Sequence, residues 1–131
     1  MLGELEGNSR VVVCDLEAGL GTVLRMQAEQ VDVVLAVAEP TAKSIEVARR
    51  AAESASGRAG RVIVVANRIA SDADLEVVQA VLGEHEIVTV PEEPAIARAD
   101  RDGVAPIDVD ESAPGVRALT ELADRLLAVA A

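Results

Sequence analysis

This sequence predicts an α/β domain built on a parallel sheet of about four strands with flanking helices, and three observations support that. Four short runs are apolar and rich in Val and Ile without alternating: residues 11–14 (VVVC), 31–38 (VDVVLAVA), 62–66 (VIVVA) and 87–90 (IVTV). Continuous runs of this kind read as strands buried on both faces. Helical patterns separate the last three runs, and strand–helix alternation is satisfied by parallel strands with helices packed on the sheet. At 131 residues the chain amounts to one domain, residues 1–131, with a polar segment at 1–10.

Each element has its own signal. Residues 11–14 form the first expected strand, with Cys14 as a small buried side chain. After the second strand, the stretch following Thr41 reads AKSIEVARRAAESA. It places Ile45, Ala48, Ala51, Ala52 and Ala55 on one stripe and turns Arg49 and Arg50 away. Ser71 and Asp74 have the spacing of a capping box ahead of LEVVQAVL, and Gly83 stops that helix. Pro94 opens a short helix that ends before Gly103. Residues 102–113 are the longest expected loop. Ser112 and Pro114 precede a final helix in which Val116, Leu119, Leu122, Leu126 and Leu127 recur at helical spacing.

Composition narrows the function. Half the residues are apolar, but Phe, Trp and Tyr are absent, so the core is built from Val, Ala, Leu and Ile, and bases cannot be held by stacking on aromatic rings. The net charge of −11 repels phosphodiester backbones and anionic lipid, which argues against nucleic-acid and membrane partners. One Cys and one His cannot make a disulfide or an N/S metal site within the chain. The first ten residues are too acidic and polar for a signal peptide, and no apolar run has the length of a membrane span, so the expected location is the cytoplasm.

In parallel sheets ligands bind at the carboxyl ends of the strands. The first run ends in Asp15, followed by Glu17, Gly19 and Gly21. An acid at a strand tip suits a Mg²⁺–nucleotide site, directly or through water, and equally caps a loop or helix. Asn67 ends the third run. Its amide presents donor and acceptor side by side, as a purine edge requires, though Asn is also an ordinary turn residue there. Ala70 stands where the Asn-Lys-x-Asp pattern of guanine readers needs Asp. After the fourth run, Pro91 and Pro94 stiffen a turn that offers a flat apolar edge to a base, or simply links strand to helix. Lys43–Ser44 imitates the end of a phosphate-binding loop. However, the required glycine positions hold Ala42 and Val37, Pro40 removes an N–H donor, and the sequence has no other Lys. A phosphoacceptor receiver domain fits poorly, because Asp15 lacks neighbouring acids and Pro91 follows the last strand.

In series, DLEAGL, VDVVLAVAEPTAKSIEVARR, VIVVANR and VPEEPAIARADRDGVAP resemble the second part of the MinD/ParA-type (SIMIBI, deviant Walker A) P-loop ATPases. The form of the first motif is closest to the CooC-like branch, associated with nickel insertion into carbon monoxide dehydrogenase. The resemblance runs from about Val11 to Val129. It implies a P-loop NTPase-like (Rossmann-like) fold, with ATP or ADP and Mg²⁺ as ligands. It makes Asp15 the Walker B/switch II acid near Mg²⁺, Gly19 part of the switch loop, Asn67 the adenine contact, and Pro91 and Glu92 the lining of the adenine pocket. It also implies dimerisation, so a homodimer is one expected assembly, and pairing with a full-length ATPase is the other. The Cys-x-Cys metal motif of CooC-like proteins is absent.

The 131 residues also lack the first strand and glycine-rich lysine loop of that family, so they correspond to a partial domain not expected to hydrolyse ATP alone. In that fold the lacking strand lies between the strand at 11–14 and the strand at 31–38, leaving a slot roughly one strand wide. Unpaired backbone in such a slot is costly. The expectation is that the sheet closes up, that another chain fills the slot, or that stability is marginal. The other functional expectation is a non-enzymatic subunit that pairs with an ATPase or another protein and regulates it.

Overall fold

A computed structural model describes residues 11–16 and 31–130. Three parallel strands, β1 (Val33–Ala38), β2 (Arg61–Ile69) and β3 (Glu86–Pro91), lie in the order β1-β2-β3. The helices are α1 (Ala42–Ala55) between β1 and β2, α2 (Asp72–Leu82) between β2 and β3, then α3 (Pro94–Asp102), α4 (Pro106–Asp110) and α5 (Pro114–Ala130). The expected α/β class, the parallel sheet and the flanking helices are all present.

Alternation along the strands sorts the core into two layers. On one face Ala38, Val64, Ala66 and Ile69 pack with Ile45 and Ala48 of α1 and with Val78 and Leu82 of α2. On the other, Val65 and Val90 pack with Leu122 of α5, flanked by Val88, Ala118 and Leu126. Small residues let α1 lie close to the sheet, since Ala48, Ala52 and Ala55 are all buried. Thr41 caps α1 by accepting from the Ser44 N–H at 3.3 Å. Ser71 caps α2 by accepting from the Asp74 N–H at 3.2 Å, and Asp74 accepts in return from the Ala70 N–H at 2.9 Å. The capping box is therefore reciprocal but reaches one residue further back than the standard pattern.

The structure departs from the sequence reading in several places. Residues 11–16 have no regular secondary structure and are exposed, with Val13 at 88%. The sheet of the described residues therefore has three strands, not four, and Cys14 is exposed rather than buried. A strand persists only where a neighbour takes up its N–H and C=O groups. β1 is paired with β2 on one edge, and among the described residues nothing pairs with its other edge. The sheet has not closed up onto residues 11–14.

β1 is also buried on one face only. Val34, Ala36 and Ala38 are covered, whereas Leu35 is 38% and Val37 55% exposed, because α5 packs over β2 and β3 and does not extend over them. The stretch expected to be a loop holds the short helix α4, opened by Pro106. In α5, Leu119 and Leu127 lie at the edge of the apolar stripe and are exposed.

Candidate functional site

The carboxyl ends of β2 and β3 form the candidate site. From Ala66 to Ile69 β2 takes three steps, while its partner takes two, from Thr89 to Pro91. This extra residue is a β-bulge, a device that re-aims side chains beside a site. Asn67 and Arg68 occupy it. Arg68 has a φ of 57° and is the only non-glycine residue with positive φ among the described residues. That conformation costs an L-residue on the order of 1–2 kcal/mol. Pairing resumes beyond the bulge, where the Glu92 N–H donates to the Ile69 carbonyl at 2.9 Å.

Asn67 and Arg68 border a cleft of about 530 Å³. Pro91, Ile96, Ala97, Val104 and Pro106 form its apolar surface, and Glu92, Glu93 and Asp100 add carboxylates. The Arg68 guanidinium stands 3.5 Å from the Glu39 carboxylate and 3.8 Å from that of Glu92, so it bridges the ends of all three strands. These are exposed ion pairs beyond hydrogen-bond distance, and they orient Arg68 more than they stabilise the fold.

Glu93 is committed to structure. It is the N-cap of α3, accepting from the Ala95 N–H on one oxygen and from the Gly115 N–H of α5 on the other, each at 3.1 Å. Pro94 at the first helical position has no N–H, and the Ile96 and Ala97 N–H groups donate to the Glu93 carbonyl. The whole first turn of α3 is therefore satisfied from within the chain.

Of the five residues that the resemblance assigns to a nucleotide site, Asn67, Pro91 and Glu92 meet in this cleft. Asp15 lies in the exposed segment 11–16. Gly19, like Glu17, lies outside the described residues. Among the described residues no three His, Cys, Asp or Glu side chains gather as a metal-holding group. Arg68 was not singled out by sequence reasoning, and the available signal was Ile69. An apolar residue just past Asn67–Arg68 hints that the strand continues, but the bulge itself appears only in the register with β3.

At Lys43–Ser44 the Ser44 hydroxyl accepts from the Glu39 N–H at 2.9 Å, closing the β1–α1 turn on itself. A smaller groove of about 280 Å³ between α4 and α5, lined by residues such as Ile107 and Glu121, involves no strand end. No described helix is long and apolar enough to cross a membrane. Neither a protein-family model nor a curated protein matches the chain.

Proposed function

We propose that this chain is a purine-binding module of the MinD/CooC-like ATPase type that does not turn over ATP by itself. The observation that carries this reading is the convergence of Asn67, Pro91 and Glu92 on one cleft at the carboxyl ends of β2 and β3. The sequence resemblance assigns those three residues to the adenine pocket. The Asn67 amide would read the base edge, Pro91 and Ile96 would face its plane, and Glu92 would accept from an exocyclic amine.

In this reading the sheet is P-loop NTPase-like, and residues 11–14 form its fourth strand once a neighbouring strand is supplied. Asp15 would then come to the Mg²⁺ side of the nucleotide and meet the ion through water, and Gly19 would belong to the switch loop. Within the 131 residues no glycine-wrapped lysine holds a triphosphate, so Mg-ATP and Mg-ADP bind weakly and no hydrolysis follows. The setting for such a protein would be the cytoplasm. The test is calorimetric titration with adenine nucleotides alongside phosphate-release assays. Weak binding that Asn67→Ala abolishes, without turnover, supports the reading. Micromolar ATP binding with turnover that is lost in Asp15→Ala overturns it.

A second reading, a non-enzymatic subunit, is favoured by one observation. The edge of β1 (VVLAVA) that has no partner among the described residues bears none of the charges, prolines or bulges that usually protect such edges, and Leu35 and Val37 are exposed beside it. A homodimer or a full-length ATPase would then cover that edge. Light scattering of the protein alone and mixed with such an ATPase distinguishes this reading from a monomeric nucleotide binder.

A further inference from the structure

We infer that the cleft at the ends of β2 and β3 selects an unphosphorylated purine nucleoside over its phosphorylated forms. The inference rests on the purine reading above and concerns what the rest of the ligand must be.

Four observations point the same way. A helix N-terminus is the usual place for a phosphate, because its free N–H groups and its dipole favour an anion. At α3 those groups are already taken: Pro94 has none, and Ala95, Ile96 and Ala97 all donate to Glu93. The cap itself is a carboxylate, fixed in place by its second bond to Gly115. Arg68, the only cation lining the cleft among the described residues, already stands between Glu39 and Glu92. Against this one guanidinium the lining sets the carboxylates of Glu92, Glu93 and Asp100.

A phosphate entering this cleft would meet three carboxylates, offset only by the Asn67 amide and by one guanidinium that already stands between Glu39 and Glu92. An uncharged ribose would lose nothing there, because hydroxyl groups donate to carboxylates. Apolar wall, amide and carboxylate acceptors together suit a neutral, amine-bearing heterocycle with its sugar.

The test is a set of parallel titrations of the full chain with adenosine, AMP and ATP, read by amide chemical shifts of Asn67 and Glu92. At about 20 mM salt, adenosine is expected to bind about tenfold tighter than ATP, with AMP between them. The gap narrows at about 0.3 M salt, where exposed charges are screened, and narrows in Asp100→Asn. ATP binding as tightly as adenosine, or a gap indifferent to both salt and Asp100→Asn, overturns the inference while leaving the purine reading intact. Failure of all three ligands to bind defeats the purine reading itself.

Discussion

Gly115 donates its backbone N–H to the Glu93 carboxylate at 3.1 Å, and a Cβ added at Gly115 would lie 2.5 Å from the Cβ of Glu93. One glutamate thereby ties the start of α3 to the start of α5, and it does so only because position 115 has no side chain. Glu93→Ala should destabilise the fold by about 1–2 kcal/mol through the lost cap. Gly115→Ala should cost about 1–3 kcal/mol, because the clash falls on a Cβ rather than a movable chain end. Urea denaturation of both variants and of the double variant checks this. The two costs should be less than additive, since both act on the same contact.

Arg68 offers a sharper backbone test. Its φ of 57° suits glycine. Arg68→Gly should therefore be at least as stable as the parent, while Arg68→Ala should fall about 1 kcal/mol below Arg68→Gly. If thermal melts place alanine level with glycine, the bulge conformation assigned to residue 68 is wrong.

Glu46 on α1 is held down to about 2 by hydrogen bonds from Arg49 and, next, Arg50. A carboxylate whose folded value lies below its unfolded one contributes stability above the unfolded value and loses it as pH falls toward the folded one. The window here runs from about pH 5 down to about pH 2. The difference in melting temperature between the parent and Glu46→Gln should be present at pH 6 and vanish by about pH 2. Because the pair is exposed, the difference is small and should shrink with added salt.

Glu86, at the start of β3, accepts from Arg61 of β2 at 2.6 Å and also from Arg125 of α5. The Arg61 hydrogen bond, aided by Arg125, holds its carboxyl below the usual range. This cluster ties strand, strand and helix at the end of the sheet opposite the cleft. Glu86→Gln should cost on the order of 1 kcal/mol, measured by urea denaturation, and leave ligand titrations of the cleft unchanged. A change in the titrations would mean that the two ends of the sheet are coupled.

Much of this was legible in the sequence because the information was local. The Val/Ile runs gave β1, β2 and β3 to within a few residues, and Ser71–Asp74 gave the start of α2. Asn67, Pro91 and Glu92 could be expected to meet because neighbouring parallel strands deliver their carboxyl ends to one edge. What escaped depended on partners distant in sequence. The bulge at Asn67–Arg68 arises from the register with β3. Residues 11–14 have the composition of a strand, but composition does not supply the neighbour that would hydrogen-bond it. The exposure of Leu35 and Val37 follows from how far α5 reaches across the sheet, which no local pattern states.

That exposure yields a final prediction. Leu35 and Val37 lie on the face of β1 that α5 does not cover, beside an edge with no partner among the described residues. Leu35 is 38% and Val37 55% exposed, so part of each side chain is still covered, and the double substitution Leu35→Thr and Val37→Thr should cost the monomer no more than about 1–2 kcal/mol. Threonine keeps the β-branched shape a strand prefers. If the edge serves an association, the same substitutions should weaken it at least about tenfold, because they remove apolar surface at the centre of the contact. Light scattering across a concentration series, with urea denaturation as the control for folding, measures both effects. A large loss of stability without any change in association would mean that this face is covered within the single chain.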